Sequence, residues 1–242
     1  MTQKSVPATD PAVYALYQAR WSTLPDTAEA WLARAREVAE VLAQDVAQRD
    51  QENKSPRDDA LKIPFASLLL PTIQLVFSNF YLGIAIGALE FAAKYTSTAT
   101  RSWPFGGENK ASATEEFYIL ERYGNFFAHL RATEALADRA GDQLSALYSR
   151  HSGDRPVLTA EGRGEIAEWV ASVKATTTDV GLRVTSGVFE VTEARATALK
   201  VALVRFWRDL RTHTLHDPVA YKNRELGRYV LLHELPQPSW YT

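Results

Sequence analysis

The run Arg205-Phe-Trp-Arg-Asp-Leu-Arg-Thr-His-Thr-Leu-His-Asp-Pro218 holds the densest set of groups able to do chemistry in this chain. Arg205, Arg208 and Arg211 recur every three residues, which on a helix makes a cationic ridge. Such a ridge could grip a phosphate through charge-assisted bonds, or it could be a solvated face paired with Asp209. His213 and His216 are also three apart, and with Asp209 one turn earlier they could in principle approach a metal. A pair is not a triad, and a helix C-terminus also holds histidines for purely structural reasons. What favours function is the crowding of His, Arg, Trp and Thr just before a helix-breaking Asp-Pro, where side chains can be turned into a cleft.

Other routes to chemistry are closed. The 242 residues include no cysteine, which removes disulfides, thiolate metal sites, iron–sulfur clusters and a cysteine nucleophile together. Walker A, GxSxG and HExxH patterns are absent, and none of the five histidines has a glutamate three residues before it, so a carboxylate-bridged metal pair is not expected. We expect no metal. Gly162-Arg-Gly-Glu-Ile-Ala167 matches a loose dinucleotide fingerprint, but a loop rather than a strand precedes it, which suits two glycines in the first turns of a helix. Basic and acidic residues number 27 and 29, a net charge of −2, so no broad positive field is present to hold nucleic acid or an anionic membrane.

The elements that must position these groups read as helices throughout. Apolar residues recur with the helical period from Asp26 to Gln51, Pro71 to Thr98, Ser112 to Tyr148, Thr159 to Phe189 and Ala194 to Thr212. A last short helix is expected from Asp217-Pro218, with Asp as cap and Pro in the first turn. Ser112-Ala-Thr-Glu115 has the form of a capping box, and Phe117, Leu120, Tyr123, Phe127 and Leu130 are expected to form the buried stripe behind it. The spacing predicts an all-α, up-and-down helical bundle, divided into an N-terminal helical segment (1–63) and a bundle (64–242). Pro64 to Leu89 carries no charge over 26 residues and is long enough to span a bilayer. Its prolines, its scattered Ser, Thr, Gln and Asn, and the lack of flanking Lys/Arg clusters point instead to a buried bundle helix. Gly83 and Gly87 would then admit a close neighbour. Without an apolar leader after a basic start, the expected location is cytoplasmic.

The segment Arg205 to Pro218, followed by Tyr221-Lys222, resembles the C-terminal signature of flavin-dependent monooxygenases of the acyl-CoA dehydrogenase fold, of the dibenzothiophene monooxygenase type. Gln74 to Ala85, Tyr95-Thr96, Arg101-Ser-Trp-Pro104 and Ser186-Gly-Val-Phe-Glu190 are similar to the same family's C-terminal bundle, and Trp31 to Arg57 resembles its first helix. The family places further helices and a β-barrel domain between those two parts, whereas here they join between about Asp59 and Phe65.

The resemblance implies a reduced-flavin-dependent monooxygenase acting on a small apolar, sulfur-containing substrate. It implies reduced FMN, with FAD as the alternative, supplied by a separate flavin reductase, and a homo-oligomer built through the bundle. Arg101 and Arg195 match positions that contact the flavin phosphate, the latter from a neighbouring subunit. His216 matches the residue beside the reactive flavin position, where an imidazole can stabilise charge or move a proton, and His213 is a supporting candidate. An acyl-CoA dehydrogenase activity ranks second, since the motif of its catalytic carboxylate has no match here. A non-catalytic oligomerising bundle is the reading from outside enzymology. At one position the sequence departs from the family pattern: Glu193 stands where relatives carry Gly before Ala-Arg, placing a carboxylate beside a phosphate-binding arginine.

Overall fold

The computed structural model describes residues 60–105, 110–151 and 156–242. The expected helix from Asp26 to Gln51, and with it most of the N-terminal segment, lies outside the described residues. The polypeptide divides into the units Met1–Ile63 and Pro64–Thr242, and the elements below belong to the second.

The described residues of this unit form seven α-helices and three short 3-10 turns and no strand, in keeping with the helical periodicity. They are α1 (Pro64–Ser67), α2 (Leu69–Ala99), α3 (Phe117–His151), α4 (Ala160–Gly187), α5 (Phe189–Thr192), α6 (Val204–Thr214) and α7 (Val219–Leu232). α3 returns along α2, with Thr72 near Tyr148 at one end and Thr96 near Tyr123 at the other. α4 returns along α3 and packs most extensively on α2, while α6 lies on α2 and α4 and α7 lies on α4. The core runs between the three long helices, from Leu75, Leu82 and Ala85 through Phe126, Leu130 and Ala137 to Val170, Val173 and Val184.

The two prolines of the uncharged run break nothing essential. Pro64 opens α1, and Pro71 sits in the first turn of α2, where a missing N–H has no intrahelical acceptor to lose. The polar residues inside α2 bond back to its own carbonyls: Thr72 Oγ1 to Leu68 O at 2.7 Å, Ser78 Oγ to Gln74 O at 2.7 Å and Asn79 Nδ2 to Leu75 O at 2.9 Å. One expectation fails here. α2 is not enclosed on all sides, because Leu69, Ile73, Val76 and Phe80, spaced i, i+4, i+7, i+11, form an exposed apolar stripe. By length and composition Pro64–Ala99 could cross a membrane, and 44% of its most apolar window is buried inside the unit.

Close approach falls on other glycines than the two expected. A Cβ on Gly83 would meet nothing within 4 Å and one on Gly87 would touch Phe206 at 3.4 Å, whereas one on Gly187 would lie 2.5 Å from the Phe126 ring and one on Gly181 2.8 Å from Leu210. α4, not α2, is therefore the helix whose small residues let neighbours press in.

Three further expectations are corrected. The Ser112 cap opens a 3-10 turn (Ala113–Glu115), accepting from Thr114 N at 3.3 Å, and α3 starts only at Phe117 because Glu116 is extended. α3 buries Ile119, Phe126, Leu130, Thr133, Ala137, Ala140 and Leu144, so of the expected stripe Leu130 is in the core and Tyr123 packs against it, whereas Phe117, at 78%, Leu120 and Phe127 are exposed. The expected helix from Ala194 to Thr212 is instead two 3-10 turns (Ala194–Thr197 and Leu199–Val201) followed by α6. Positive φ at Glu193 (66°) and Ala202 (61°) bends the chain so that Ala196 and Leu203, both fully buried, can reach the core.

Candidate active site

α6 is amphipathic, and its apolar side fixes where its histidines point. Leu210 is fully buried against Gly181, Phe206 packs on Phe91 with ring centroids 5.9 Å apart, and Thr214 is buried at the C-terminus. Arg205, Arg208 and Arg211 are exposed, with Arg208 Nε 3.4 Å from Asp209 Oδ1, so the cationic ridge is a solvated face. Asp209 makes its contact with Arg208, and among the described residues no three His, Cys, Asp or Glu converge as metal ligands.

His213 stands half-buried on the inner side of α6, and a network from three helices holds it. Tyr81 Oη of α2 lies 2.9 Å from His213 Nδ1, and the Phe77 ring meets the imidazole edge-on at 4.7 Å. Behind Tyr81, Lys174 Nζ of α4 donates to Tyr81 Oη at 3.2 Å and pairs with Asp217 Oδ2 at 3.5 Å. Gln74 Nε2 donates to the same Asp217 oxygen at 2.6 Å. Tyr81, Lys174, Gln74 and Asp217 are all buried. This corrects the expected role of Asp217. It caps nothing, because α7 has no side-chain cap and the carboxylate turns inward to neutralise a buried ammonium.

Lysine only donates, so it occupies a lone pair of the Tyr81 oxygen, and the tyrosine proton has two acceptors in reach, His213 Nδ1 at 2.9 Å and the His213 carbonyl at 3.4 Å. Burial, and then the negative Asp217, push the Tyr81 phenol up to about 12, so it stays a donor. Burial also lowers Lys174, an effect that Asp217 opposes. Burial, followed by the charges of Lys174 and His216, lowers His213 and favours its neutral ring.

His216 stacks beside His213, with centroids 6.2 Å apart and planes 27° apart, and opens into a cleft of about 840 Å³ shared with Tyr221, Arg224 and Glu225 of α7. The structure therefore brings His213 and His216 together. Tyr81 and Lys174 escaped sequence reasoning. The signal for Lys174 was present, a lone cation on the otherwise apolar face Val170-Val173-Lys174-Thr177 of a long helix, while Tyr81 had none, being one aromatic residue in an apolar run.

Arg101 and Arg195 are also brought together, but elsewhere. Both meet Glu193: its Oε1 accepts from the Arg101 backbone N–H at 2.6 Å, and its Oε2 accepts from Arg195 Nε at 3.2 Å and Nη2 at 3.1 Å, with Arg101 Nε 4.0 Å away. Arg195 Nη2 also donates to Ala99 O at 2.9 Å, anchoring the group to the C-terminal end of α2. Glu193 has φ 66° and ψ 168°, a region that glycine alone adopts freely and that costs other residues about 1–3 kcal/mol. Two guanidinium groups from positions 94 residues apart thus converge on one anion. That arrangement suits an oxyanion, and the Glu193 carboxylate occupies it. Within one chain the two pairs of residues do not share a site. Tyr81, which holds His213, and Ala99, which holds Arg195, are separated by roughly 27 Å of helix. That is farther than a flavin mononucleotide reaches from phosphate to ring.

Residues 75–220 match the family "Acyl-CoA dehydrogenase, C-terminal domain". The chain is 47% identical over 174 residues to dibenzothiophene monooxygenase of Mycolicibacterium goodii, covering 72% of this chain and 40% of that one. It is 41% identical over 182 residues to the Pseudomonas putida protein named "Probable FMNH2-dependent monooxygenase SfnC", covering 75% and 45%. The crystal structure of FMN-bound TdsC from Paenibacillus sp. A11-2 superposes with a TM-score of 0.67 at 43% identity, over 73% of this chain and 43% of that one. The chain therefore spans less than half the length of these relatives. With the signature residues, the parallel α2 and α4 and the returning α3 all in place, the chain belongs to the acyl-CoA dehydrogenase C-terminal domain family.

Proposed function

We propose that this chain serves a reduced-flavin-dependent monooxygenase acting on a small apolar, sulfur-containing substrate, with FMN as the flavin. The observation that carries the reading is the Lys174–Tyr81–His213 network, beside which His216 opens into a cleft. The names of the relatives supply the reaction class and the flavin. Bound reduced flavin would supply the two electrons with which one oxygen atom of dioxygen enters the substrate and the other leaves as water.

The chain's own part is to place protons and charge. Tyr81 holds the His213 ring at Nδ1, which leaves Nε2 on its free side. His216, exposed at the cleft, is the group assigned to move a proton or stabilise negative charge at the reactive position. Arg101 and Arg195 grip the phosphate. Because both arginines meet within one chain and lie a long helix segment away from its His213, a complete site needs both arginines from one copy and the histidines from another, where the resemblance implied Arg195 alone from the neighbour. The assembly is accordingly a homo-oligomer, supplied with reduced flavin by a separate reductase in the cytoplasm.

Titration of the full chain with FMN, followed by turnover with reduced FMN, oxygen and a panel of sulfur heterocycles and thioethers, tests this reading. Saturable binding and an oxygenated product are expected, and absence of both would overturn it. The exposed stripe Leu69, Ile73, Val76 and Phe80 favours a second reading, a bundle that oligomerises without chemistry. Oligomer in sedimentation with no turnover on any substrate would select it.

A further inference from the structure

The Arg101–Arg195 grip already holds an anion, and that anion belongs to the chain. Glu193 reaches it with three donors at hydrogen-bond distance, the Arg101 N–H and two guanidinium nitrogens of Arg195. The residue does so from a backbone conformation that an L side chain rarely adopts. Both arginine side chains are largely open to solvent, Arg101 at 77% and Arg195 at 54%, while the Glu193 side chain between them is 25% exposed. The carboxylate is thus the inner member of the cluster, set between the two cations, and its charge reaches Tyr118, whose phenol is raised by burial and then by Glu116 and Glu193. An exposed ion pair of this kind is weak and exchangeable. A phosphate monoester brings more negative charge and more acceptor oxygens to the same donors.

We propose that Glu193 is a tethered competitor for the phosphate-binding arginines, so that a phosphate-bearing ligand binds only by displacing it. The inference rests on the reading of Arg101 and Arg195 as a phosphate grip. It adds that this chain carries a built-in brake on that grip, one that sets the preference for a phosphorylated flavin over its unphosphorylated form. The carboxylate and the phosphate share donors and cannot be held together, because two anions at that spacing repel. Displacement needs only side-chain rotation, since the backbone of Glu193 is held by the buried neighbours Thr192 and Ala196 on either side.

The test compares FMN with riboflavin, which lacks the phosphate, on the full chain as wild type, Glu193→Gln and Glu193→Gly, read by quenching of flavin fluorescence. Both variants should bind FMN about tenfold or more tightly than wild type while riboflavin affinity changes less than twofold, one decade being the scale of one well-placed charged contact. Gln keeps the backbone strain and Gly relieves it, so a gain confined to Gly would assign the effect to the backbone and overturn the proposal. A wild type that already prefers FMN strongly, with the preference unchanged in both variants, would overturn it while leaving the flavin reading intact. Should no flavin bind any of the three proteins, the flavin reading fails. Inorganic phosphate then decides the brake by itself: a rise in melting temperature in the variants but not in wild type supports it, and equal response in all three overturns it.

Discussion

Asp217 and Glu193 are both carboxylates paired with cations, and their surroundings make them opposites. Asp217 is buried and shares one oxygen with Lys174 and Gln74, at the inner end of the network that holds His213. Glu193 sits at the surface end of α2, between two solvated arginines, on strained backbone. In the interior a missing partner leaves an uncompensated charge without water, whereas at the surface water replaces any partner removed. The buried cluster is therefore fit to hold an imidazole in one orientation, and the surface cluster is fit to exchange one anion for another.

Breaking the interior end should give the largest effect. Lys174→Met leaves Asp217 buried with only Gln74, and a loss of about 3 kcal/mol in urea unfolding is expected. The same variant should raise the His213 titration in NMR, because the cation that disfavours imidazolium is gone. The matching surface change, Arg195→Met, should stay within about 1 kcal/mol. Equal losses in the two variants would erase the contrast.

His216→Ala sharpens the comparison from the side of function. Product formation should fall by about 10²-fold, the usual scale for a positioned proton-transfer group, with the melting temperature nearly unchanged. A stability loss of about 1 kcal/mol with full activity would instead mark His216 as a helix-end residue.

Glycines offer a smaller contrast. Gly187→Ala pushes a methyl into the Phe126 ring and should cost about 1–3 kcal/mol. Gly83→Ala meets nothing and should stabilise by about 0.5–1 kcal/mol through helix propensity. Thermal melts of the two should move in opposite directions.

The smallest effect concerns pH. Burial holds His213 below the ordinary imidazole value of 6.5, so the folded state prefers the neutral ring. Its contribution to stability is complete above that value and is lost as pH falls through the lowered one. Melting temperatures measured from pH 7 to 5 should decline, and His213→Gln should flatten the decline. An unchanged slope in the variant would remove His213 as its source.

The long helices were legible because their signals are local. Period, caps and breakers placed α2, α3 and α4 within a few residues of where they lie. The histidine pair and the two arginines were legible by residue type and by resemblance. Where expectation failed, a neighbour distant in sequence had won. Asp217 carries every mark of a helix cap, yet a buried lysine 43 residues earlier claims its carboxylate. Phe117, Leu120 and Phe127 look like core by hydrophobicity, but the seam of α3 is set by the small residues of α4, into which Phe126 fits at Gly187. The stretch from Ala194 to Thr212 has helical propensity throughout, and the need to bury both Ala196 and Leu203 breaks it.

By itself, then, the sequence determined that the chain is helical, where its long helices run and which family signature it bears, since these follow from hydrogen bonding and apolar spacing within a few turns of one segment. Only the tertiary structure decided that Lys174 and Tyr81 fix His213, that Glu193 fills the arginine grip, and that the arginines and the histidines of one chain lie too far apart to share a ligand. Those facts are distances between groups remote along the chain, and packing alone sets them.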